Sequence, residues 1–451
     1  MRHKHTLLIN PIPNKLTSTN KDLNGGYGTS DQIGKNLLSL ALGYAKKINI
    51  KIPVLCMGYI SSILNDKEIK NSYFENCENV ISFLKSNEVS CCILYGSIVC
   101  CELENKLINQ IKEINNKIVV IVVGTYPTKF PKKFSKADHI IIGEPEHFFL
   151  NWDGKFSSLK SMGHKINSEI IKNLDILPIP NYPIKFSKKF SYRPMLKKPT
   201  GFIESTRGCP YSCGFYCTYG ENQGKLIRSY SPEKVVHIMQ TLMKKNGFRS
   251  FQFRDPVFGL QKDFIEKFCL EIHKEGLKVE WGMETRIDIL NIEIIRLMAS
   301  AGLKSINIGI ETPNEEIAKA NKRVICEEDK QRALIDAAYN AGVKINAFYI
   351  LGLEQDNEIS SLDTINYSLS LKTFMARYAV CTPYPGTGFY DVLKKEGRIN
   401  EDNLDKYNQQ ELVYEHAYLD QKKIKKLIQK AYIKYYFRPK LIFNIIKNKF
   451  E

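Results

Sequence analysis

Nowhere in this 451-residue chain does an uninterrupted apolar run approach the roughly 20 residues that a helical membrane span requires. The opening MRHKHTLLINPIPN carries basic residues, but its apolar stretch is too short for a secretory signal and reads better as a first strand. Those two absences make the cytoplasm the expected location. Acid is scarce relative to base: 48 Asp and Glu stand against 65 Lys and Arg, a formal charge of +17. Lysine is scattered through every segment and no basic run sits in a recognisable nucleic-acid module, so no nucleic-acid partner is expected. In a reducing compartment the 12 cysteines are expected as thiols, without a disulfide framework.

What is present fits a globular protein, 43% hydrophobic and 25% charged, and too long for one ordinary core. The first part alternates strand and helix signals. HTLLIN (5–10), IPVLCMG (52–58), VSCCILYGS (89–97), KIVVIVVGT (117–125) and ADHIIIG (137–143) read as strands buried on both faces. Polar or amphipathic stretches at 32–47, 73–86 and 102–116 read as helices, the last with Leu103, Leu107, Ile108 and Ile111 at helical spacing. This alternation predicts a Rossmann-like doubly wound parallel sheet over 1–152. The Pro-, Ser- and Lys-rich stretch 153–199 reads as a linker or wrapping segment. A second series follows over 200–400, with strands at 200–206, 250–255, 279–284, 305–311, 344–352 and 376–383. Helices at 291–301 and 329–341 each end in Ala-Gly. Six such units predict a partial β/α barrel whose reactive residues sit at the strands' carboxyl ends. The tail, 401–451, reads as helical. Its ten Lys or Arg in 421–451, interleaved with Tyr432, Tyr435, Tyr436, Phe437 and Phe443, suit either a barrel cap or a membrane-surface or nucleic-acid helix. Pro439 interrupts a long amphipathic helix and favours the cap.

The sharpest signal is IESTRGCPYSCGFYCTYG (203–220), with Cys209, Cys213 and Cys217 just past a predicted strand. Thiolates bind iron–sulfur clusters, and a glycine-containing loop can wrap three of them round one cluster. A four-iron cluster with three protein ligands leaves one iron open to an external molecule, which points to chemistry and not simple electron transfer. Structural zinc is the competing reading, but zinc usually takes four ligands, and the closest histidine in sequence is His237. Cys91, Cys92, Cys269 and Cys326 read as packing; Cys381, at a strand end, reads as packing or as a hydrogen donor. Cys91, Cys92, Cys100 and Cys101 together tempt a second metal site, but adjacent cysteines on a buried strand point to opposite faces, so the first pair reads as core.

The loop resembles that of the radical S-adenosylmethionine enzymes, whose usual pattern is Cys, three residues, Cys, two residues, Cys. The flank Arg207-Gly208-Cys209-Pro210-Tyr211 resembles members with an N-terminal cobalamin-binding domain. Here three residues separate Cys213 from Cys217, and Tyr216 stands where the third cysteine is expected. FRDPVF (253–258), ETRIDIL (284–290), INIGIET (306–312) and CTPYPGT (381–387) match the family in order, while GLEQDNE (352–358) replaces the usual Gly-Leu-Pro-Gly-Glu. The resemblance implies a [4Fe-4S] cluster on the three cysteines. It places Asp255 near the methionine moiety of S-adenosylmethionine, Gly309 and Glu311 near its adenosine, and Glu284 and Arg286 as candidates for the same pocket. Tyr216 and Tyr219 would touch the cluster or shield the loop.

Asn10-Pro11, the GGYG loop (25–28), VVGTYPT (122–128) and DHIIIGEPE (138–146) resemble the family's cobalamin-binding domain, which implies Gly96, Gly124 and Thr125 as contact positions. No Asp-x-His-x-x-Gly segment exists, and Asp138 and His139 are adjacent, so no histidine from that motif is expected beneath the cobalt. A domain that binds nothing or docks substrate is the alternative. The family mechanism is reductive cleavage of S-adenosylmethionine to a 5′-deoxyadenosyl radical. Hydrogen abstraction from an unactivated carbon follows, and methylcobalamin delivers the methyl group. The implied function is a cobalamin-dependent radical methyltransferase acting on a small molecule, peptide or lipid precursor, with flavodoxin or ferredoxin as electron donor. A radical cyclase, rearrangement or oxidation enzyme is the second reading. An RNA methylthiotransferase ranks lower, lacking a well-spaced second cysteine set, and an iron–sulfur redox protein leaves the barrel motifs unexplained.

Overall fold

The structure is a computed structural model and describes residues 5–16, 18–23, 25–30, 37–211, 217–399 and 403–439. Two compact units divide the chain: Met1–Thr29 with Pro53–Ser187, and Ser30–Ile52 with Lys188–Glu451.

The first unit is built on strands β1 (His5–Ile9), β2 (Asn71–Phe74), β3 (Val89–Tyr95), β4 (Val119–Val123), β5 (His139–Ile142) and β6 (Lys165–Asn167). They form one parallel sheet in the order β2-β1-β3-β4-β5-β6. Helices α1 (Leu55–Asp66), α2 (Cys77–Ser86) and α3 (Cys101–Ile114) supply crossovers. All five residues of β4, VVIVV, are buried, as strands covered on both faces require. Helix α3 turns Leu107, Ile108 and Ile111 inward, each worth roughly 1.5–3 kcal/mol when fully buried. Strand order reverses between β1 and β3, so a ligand crevice belongs at the carboxyl ends of those two strands.

Three readings of this region change. The stretch 52–58, expected as a strand, mostly opens α1. Its apolar run continues to Leu64, and a short all-apolar run does not distinguish a buried helix from a buried strand. Gly58 within it lets Tyr182 pack against the helix, where a Cβ would come within 2.5 Å of the ring. The start of 73–86, expected as helix, is strand β2, an edge strand whose NSYF carries little apolar signal. The stretch expected as linker, 153–199, contributes β6 to the sheet. Its burial pattern is exposed, intermediate, exposed, so backbone pairing with β5 and not hydrophobicity makes it a strand.

The second unit's sheet comprises β7 (Thr200–Ile203), β8 (Ser250–Phe253), β9 (Glu280–Thr285), β10 (Leu303–Glu311), β11 (Lys344–Leu351) and β12 (Met375–Val380), all parallel and paired in sequence order. Helices α4 (Pro232–Asn246), α5 (Lys262–Lys274), α6 (Ile292–Ser300), α7 (Glu328–Asn340) and α8 (Glu358–Ser370) intervene, giving the open β/α barrel read from the sequence. Trp281 anchors the outer layer, with Phe253, Phe258 and Phe268 ring centres at 5.8, 5.6 and 5.4 Å. Its indole nitrogen donates to Ala301 O at 2.8 Å. Gly302, at φ +98, ends α6 where a Cβ would meet Val279 O at 2.1 Å, so only glycine fits. Helix Leu37–Asn49 also belongs to this unit.

The tail carries a helix, as the sequence reads. Helix α9 (Gln421–Tyr436) is preceded by a short 3-10 turn at Leu404–Lys406, while 440–451 lie outside the described residues. Its Ile424, Leu427, Ile428, Ala431, Tyr432 and Tyr435 are buried, and α9 packs on α8 and β12. Tyr435 donates to Thr373 O at 2.8 Å and Tyr436 to Ala376 O at 2.8 Å, so the aromatic face covers the barrel's last strand. Among the described residues no helix is long and apolar enough to cross a membrane.

Candidate functional site

The cysteine loop leaves the carboxyl end of β7 and is tied down at both ends. Thr206–Arg207 pairs antiparallel with Arg228–Ser229, and Cys209 N donates to Gly224 O at 3.0 Å. Gly208 sits at φ +92 with its N donating to Gln223 Oε1 at 3.1 Å; a Cβ there would come within 2.1 Å of Leu226 O. Arg207 donates twice to Glu204 Oε1, at 2.9 and 2.7 Å. On the exit side, Cys217 precedes the short helix Tyr219–Gln223, where Asn222 N donates to Thr218 O at 3.0 Å. Cys209 is buried and Cys217 half-buried, while Cys213, Phe215 and Tyr216 lie outside the described residues.

Asp255 holds the loop's first turn. Its carboxylate accepts from Ser205 N at 2.7 Å, from Thr206 Oγ1 at 2.9 Å, and from the Ser205 hydroxyl. Burial pushes its pKa up to about 7, against the pull of those donors. The resemblance places Asp255 beside S-adenosylmethionine; its side chain in the structure faces the cysteine loop's root.

The remaining expected positions converge on the carboxyl ends of β9 and β10. Glu284 pairs with Arg254 and accepts from Asn307 Nδ2 at 3.3 Å. Asn307 Nδ2 also donates to Tyr192 OH at 2.6 Å, and Asn346 Nδ2 donates to Asn307 Oδ1 at 3.2 Å. Glu284, Asn307 and Asn346 occupy matching register positions on β9, β10 and β11, so a polar ladder lines one face of the sheet. Arg286 is held by Asp288 through two 3.0 Å hydrogen bonds and lies over the Tyr211 ring, 4.0 Å from its centre. Glu311 stands in the left-handed region at φ +67, beside a register shift with β11, and pairs with Arg323 at 3.3 Å. Arg323 also donates to Gly309 O. A Cβ on Gly309 would come within 2.3 Å of Glu311 Oε1, so the glycine makes room for that pair. Burial raises the Glu311 pKa, with Arg323 and Arg286 opposing.

In the first unit Gly96, Gly124 and Thr125 lie together beyond β3 and β4, but chain atoms fill the space that the glycines leave. A Cβ on Gly96 would meet Pro127 at 2.3 Å, and one on Gly124 would meet Gly96 O at 2.9 Å and the Tyr95 ring at 3.1 Å. The preceding loop is fixed by Lys21, whose ammonium is wholly buried against Glu104 at 2.6 Å and donates to Tyr95 O at 2.6 Å. Glu104 in turn accepts from Ser97 N at 3.0 Å and Ser97 Oγ at 2.9 Å. Asp138 and His139 stand at the opposite, amino end of β5, bonded to Lys112 and Gly163 O. Cys91, Cys92, Cys100 and Cys101 are all buried, and burial pushes the first two thiols far up. Cys381 is packed with Phe389, Leu393 and Tyr414, and its thiol is likewise raised by burial.

The residues present fit the implied groups on three observations. Cys209 and Cys217 put thiols on one anchored loop, the donor chemistry that an iron–sulfur cluster takes. Glu284, Arg286, Gly309 and Glu311 share one end of one sheet. Asn10 ends β1 at the topological switch point, and its buried Oδ1 has no hydrogen-bond partner, so it suits an amide donor such as a corrin side arm. Sequence reading missed Arg254, Arg323, Asn307, Lys21 and Glu104. Arg254 adjoins Asp255 within FRDPVF and Asn307 lies within INIGIET, so both were within reach; the others carry no local pattern.

The profile of the Radical SAM superfamily matches residues 203–365, from the end of β7 into α8. An uncharacterized methyltransferase of Pyrococcus horikoshii is 26% identical over 358 residues, covering 75% of this chain and 76% of its own. The anaerobic magnesium-protoporphyrin IX monomethyl ester cyclase of Rubrivivax gelatinosus is 28% identical over 381 residues, covering 78% of this chain and 66% of its own. Among solved structures, the cobalamin-dependent S-adenosylmethionine radical enzyme OxsB, with aqua-cobalamin bound, superposes at a TM-score of 0.69 with 14% identity, over 97% of this chain and 67% of that one. That last likeness extends the shared fold across both parallel sheets. The profile match opens on the strand that launches the cysteine loop and runs on through β11, so the chain carries a radical S-adenosylmethionine domain over residues 203–365.

Proposed function

We propose that this protein is a cobalamin-dependent radical enzyme that methylates an unactivated carbon of a small-molecule, peptide or lipid precursor. The observation that carries the reading is Cys209, fixed through its backbone to Gly224 at the carboxyl end of the first strand of a parallel barrel. Cys209, Cys213 and Cys217 would hold the [4Fe-4S] cluster. Gly309, Glu311, Glu284 and Arg286 would line the S-adenosylmethionine pocket. Asn10, with the loop beyond β1, would meet cobalamin. When bound, these groups supply a carbon-centred hydrogen abstractor and a transferable methyl group.

The chain's own part is placement. Asp255 fixes the loop root through three donors, Arg286 braces Tyr211 within the loop, and Arg323 keeps the Glu311 carboxylate beside Gly309. The polar ladder from Tyr192 through Asn307 to Glu284 gives the barrel face fixed dipoles in a water-poor setting, where they act more strongly than in solvent. An electron donor of the flavodoxin or ferredoxin kind is required, and a reducing cytoplasm suits the cysteine set.

The test is metal content and product formation in anaerobically prepared protein supplied with cobalamin. About four irons per chain, bound cobalt, and both 5′-deoxyadenosine and S-adenosylhomocysteine on reduction support methyl transfer. Iron and 5′-deoxyadenosine without cobalt or S-adenosylhomocysteine would favour the second reading, a ring-closing or oxidising enzyme like the Rubrivivax gelatinosus relative. No iron would remove both.

A further inference from the structure

Helix α9 uses only half of its surface to cover the barrel. At about 100° per residue, Lys422, Lys423, Lys426, Lys430, Ile433, Lys434 and Phe437 fall on one outward arc of about 120°. All seven are exposed. The arc therefore carries five ammonium groups and two large apolar side chains, Ile433 at 43% and Phe437 at 54% exposure. No Asp or Glu occurs between Gln421 and Phe450. The chain as a whole has 48 acids to 65 bases, so an acid-free stretch of this length is not its background composition. Beyond α9 the sequence keeps the same chemistry, with Leu441, Ile442, Phe443, Ile445, Ile446 and Phe450 among Lys440, Lys447 and Lys449.

We infer that the outward face of α9 docks the protein on an anionic lipid surface. The buried face already has its partner in α8 and β12, which leaves the exposed lysines, of which Lys423 also donates to Tyr418 O at 3.4 Å, and the two apolar side chains to serve something outside the barrel. Lysines facing phosphate headgroups gain attraction that fades with salt, while Ile433 and Phe437 on the same arc reach the acyl boundary. That apolar pair separates lipid from nucleic acid or an acidic protein, since an aliphatic side chain such as Ile433 gains nothing from a phosphate-lined groove. Docking here would hold the barrel at the surface where poorly soluble substrates partition. The inference stands apart from the proposed methyl transfer and its test needs no cofactor.

The experiment is co-sedimentation of the full-length protein with phosphatidylcholine vesicles and with vesicles containing about a third phosphatidylglycerol. Binding to the anionic vesicles only, falling roughly tenfold or more as salt rises from about 0.05 M to about 0.5 M, is expected. Lys422→Glu, Lys426→Glu and Lys430→Glu combined should abolish it. Ile433→Ser with Phe437→Ser should weaken it while leaving the charge in place, with thermal unfolding of both variants confirming that the fold persists. Equal binding to both vesicle types, no binding, persistence in the charge-reversed protein, or complete displacement by RNA at equimolar lipid phosphate would each overturn the inference.

Discussion

The Arg286 guanidinium lies 4.0 Å from the centre of the Tyr211 ring, with Asp288 gripping its other edge through two hydrogen bonds of 3.0 Å. Tyr211 is two residues past Cys209, so a side chain from the end of β9 braces the cysteine loop. A buried cation–π contact is worth about 2 kcal/mol, and the planar fork also serves Asp288, which an ammonium cannot match. Arg286→Lys is therefore expected to lose iron to a chelator several times faster than the parent, despite keeping its charge. Bleaching of the cluster absorbance over time reads this directly, and equal rates would remove the bracing role.

Asp255 gives a pH prediction. Its pKa rises from 3.8 to about 7 on folding, with burial as the largest cause. The folded chain thus holds a proton that the unfolded chain has released across that interval. By linkage, stability falls as pH rises from about 4 to about 7 and is level above it. Three pKa units correspond to about 4 kcal/mol as an upper figure. Asp255→Asn cannot ionise, so its urea midpoint should change less between pH 5 and pH 8 than that of the parent. Parallel midpoints would show that the buried carboxyl is not the titrating group.

Much of this was legible beforehand, for identifiable reasons. Strand β4 announced itself because burial on both faces demands a continuous β-branched run, while β10 and β11 did so through apolar residues recurring between polar ones such as Asn307 and Asn346. The cysteine loop stood out through its composition alone. Strands β2 and β6 did not, because NSYF and KIN sit at sheet edges and owe their form to backbone pairing. Helix α1 was mistaken because its apolar residues carry no face. The pairings of Lys21 with Glu104 and Glu311 with Arg323 join positions with no shared periodicity, and only the folded backbone brings them together.

That first pair makes a sharp stability test. Lys21 and Glu104 are fully buried; Lys21 also donates to Tyr95 O at the end of β3 and to Pro11 O, while Glu104 accepts from Ser97. Removing one partner strands a charge in low dielectric, at a cost of about 3–5 kcal/mol. Lys21→Met alone and Glu104→Leu alone should each lower the unfolding temperature markedly. The double variant should recover most of the loss, short of what Ser97 N forfeits without its acceptor. A double variant as unstable as the sum of the singles would mean that the two charges act independently.

Gly309 is a crowded position among the residues proposed to line the pocket. A methyl group there would sit 2.3 Å from Glu311 Oε1 and 2.9 Å from Arg323 Nη2, so one of the pair must move. Neither is loosely held: Arg323 is tied to Gly309 O as well as to Glu311, and Glu311 keeps a left-handed backbone that would relax if its side chain lost its partner. Overpacking of this kind costs about 1–3 kcal/mol. Gly309→Ala should therefore lose modest stability and, if the displaced carboxylate lines the proposed pocket, a larger share of its S-adenosylmethionine affinity. Gly163→Ala is the control, because its nearest neighbour, Lys165 O, stands 3.7 Å away. Calorimetric titration of both variants with S-adenosylmethionine decides the matter. A Gly309→Ala protein that binds as tightly as the control would place the adenosine elsewhere and leave Glu311 with a purely structural role.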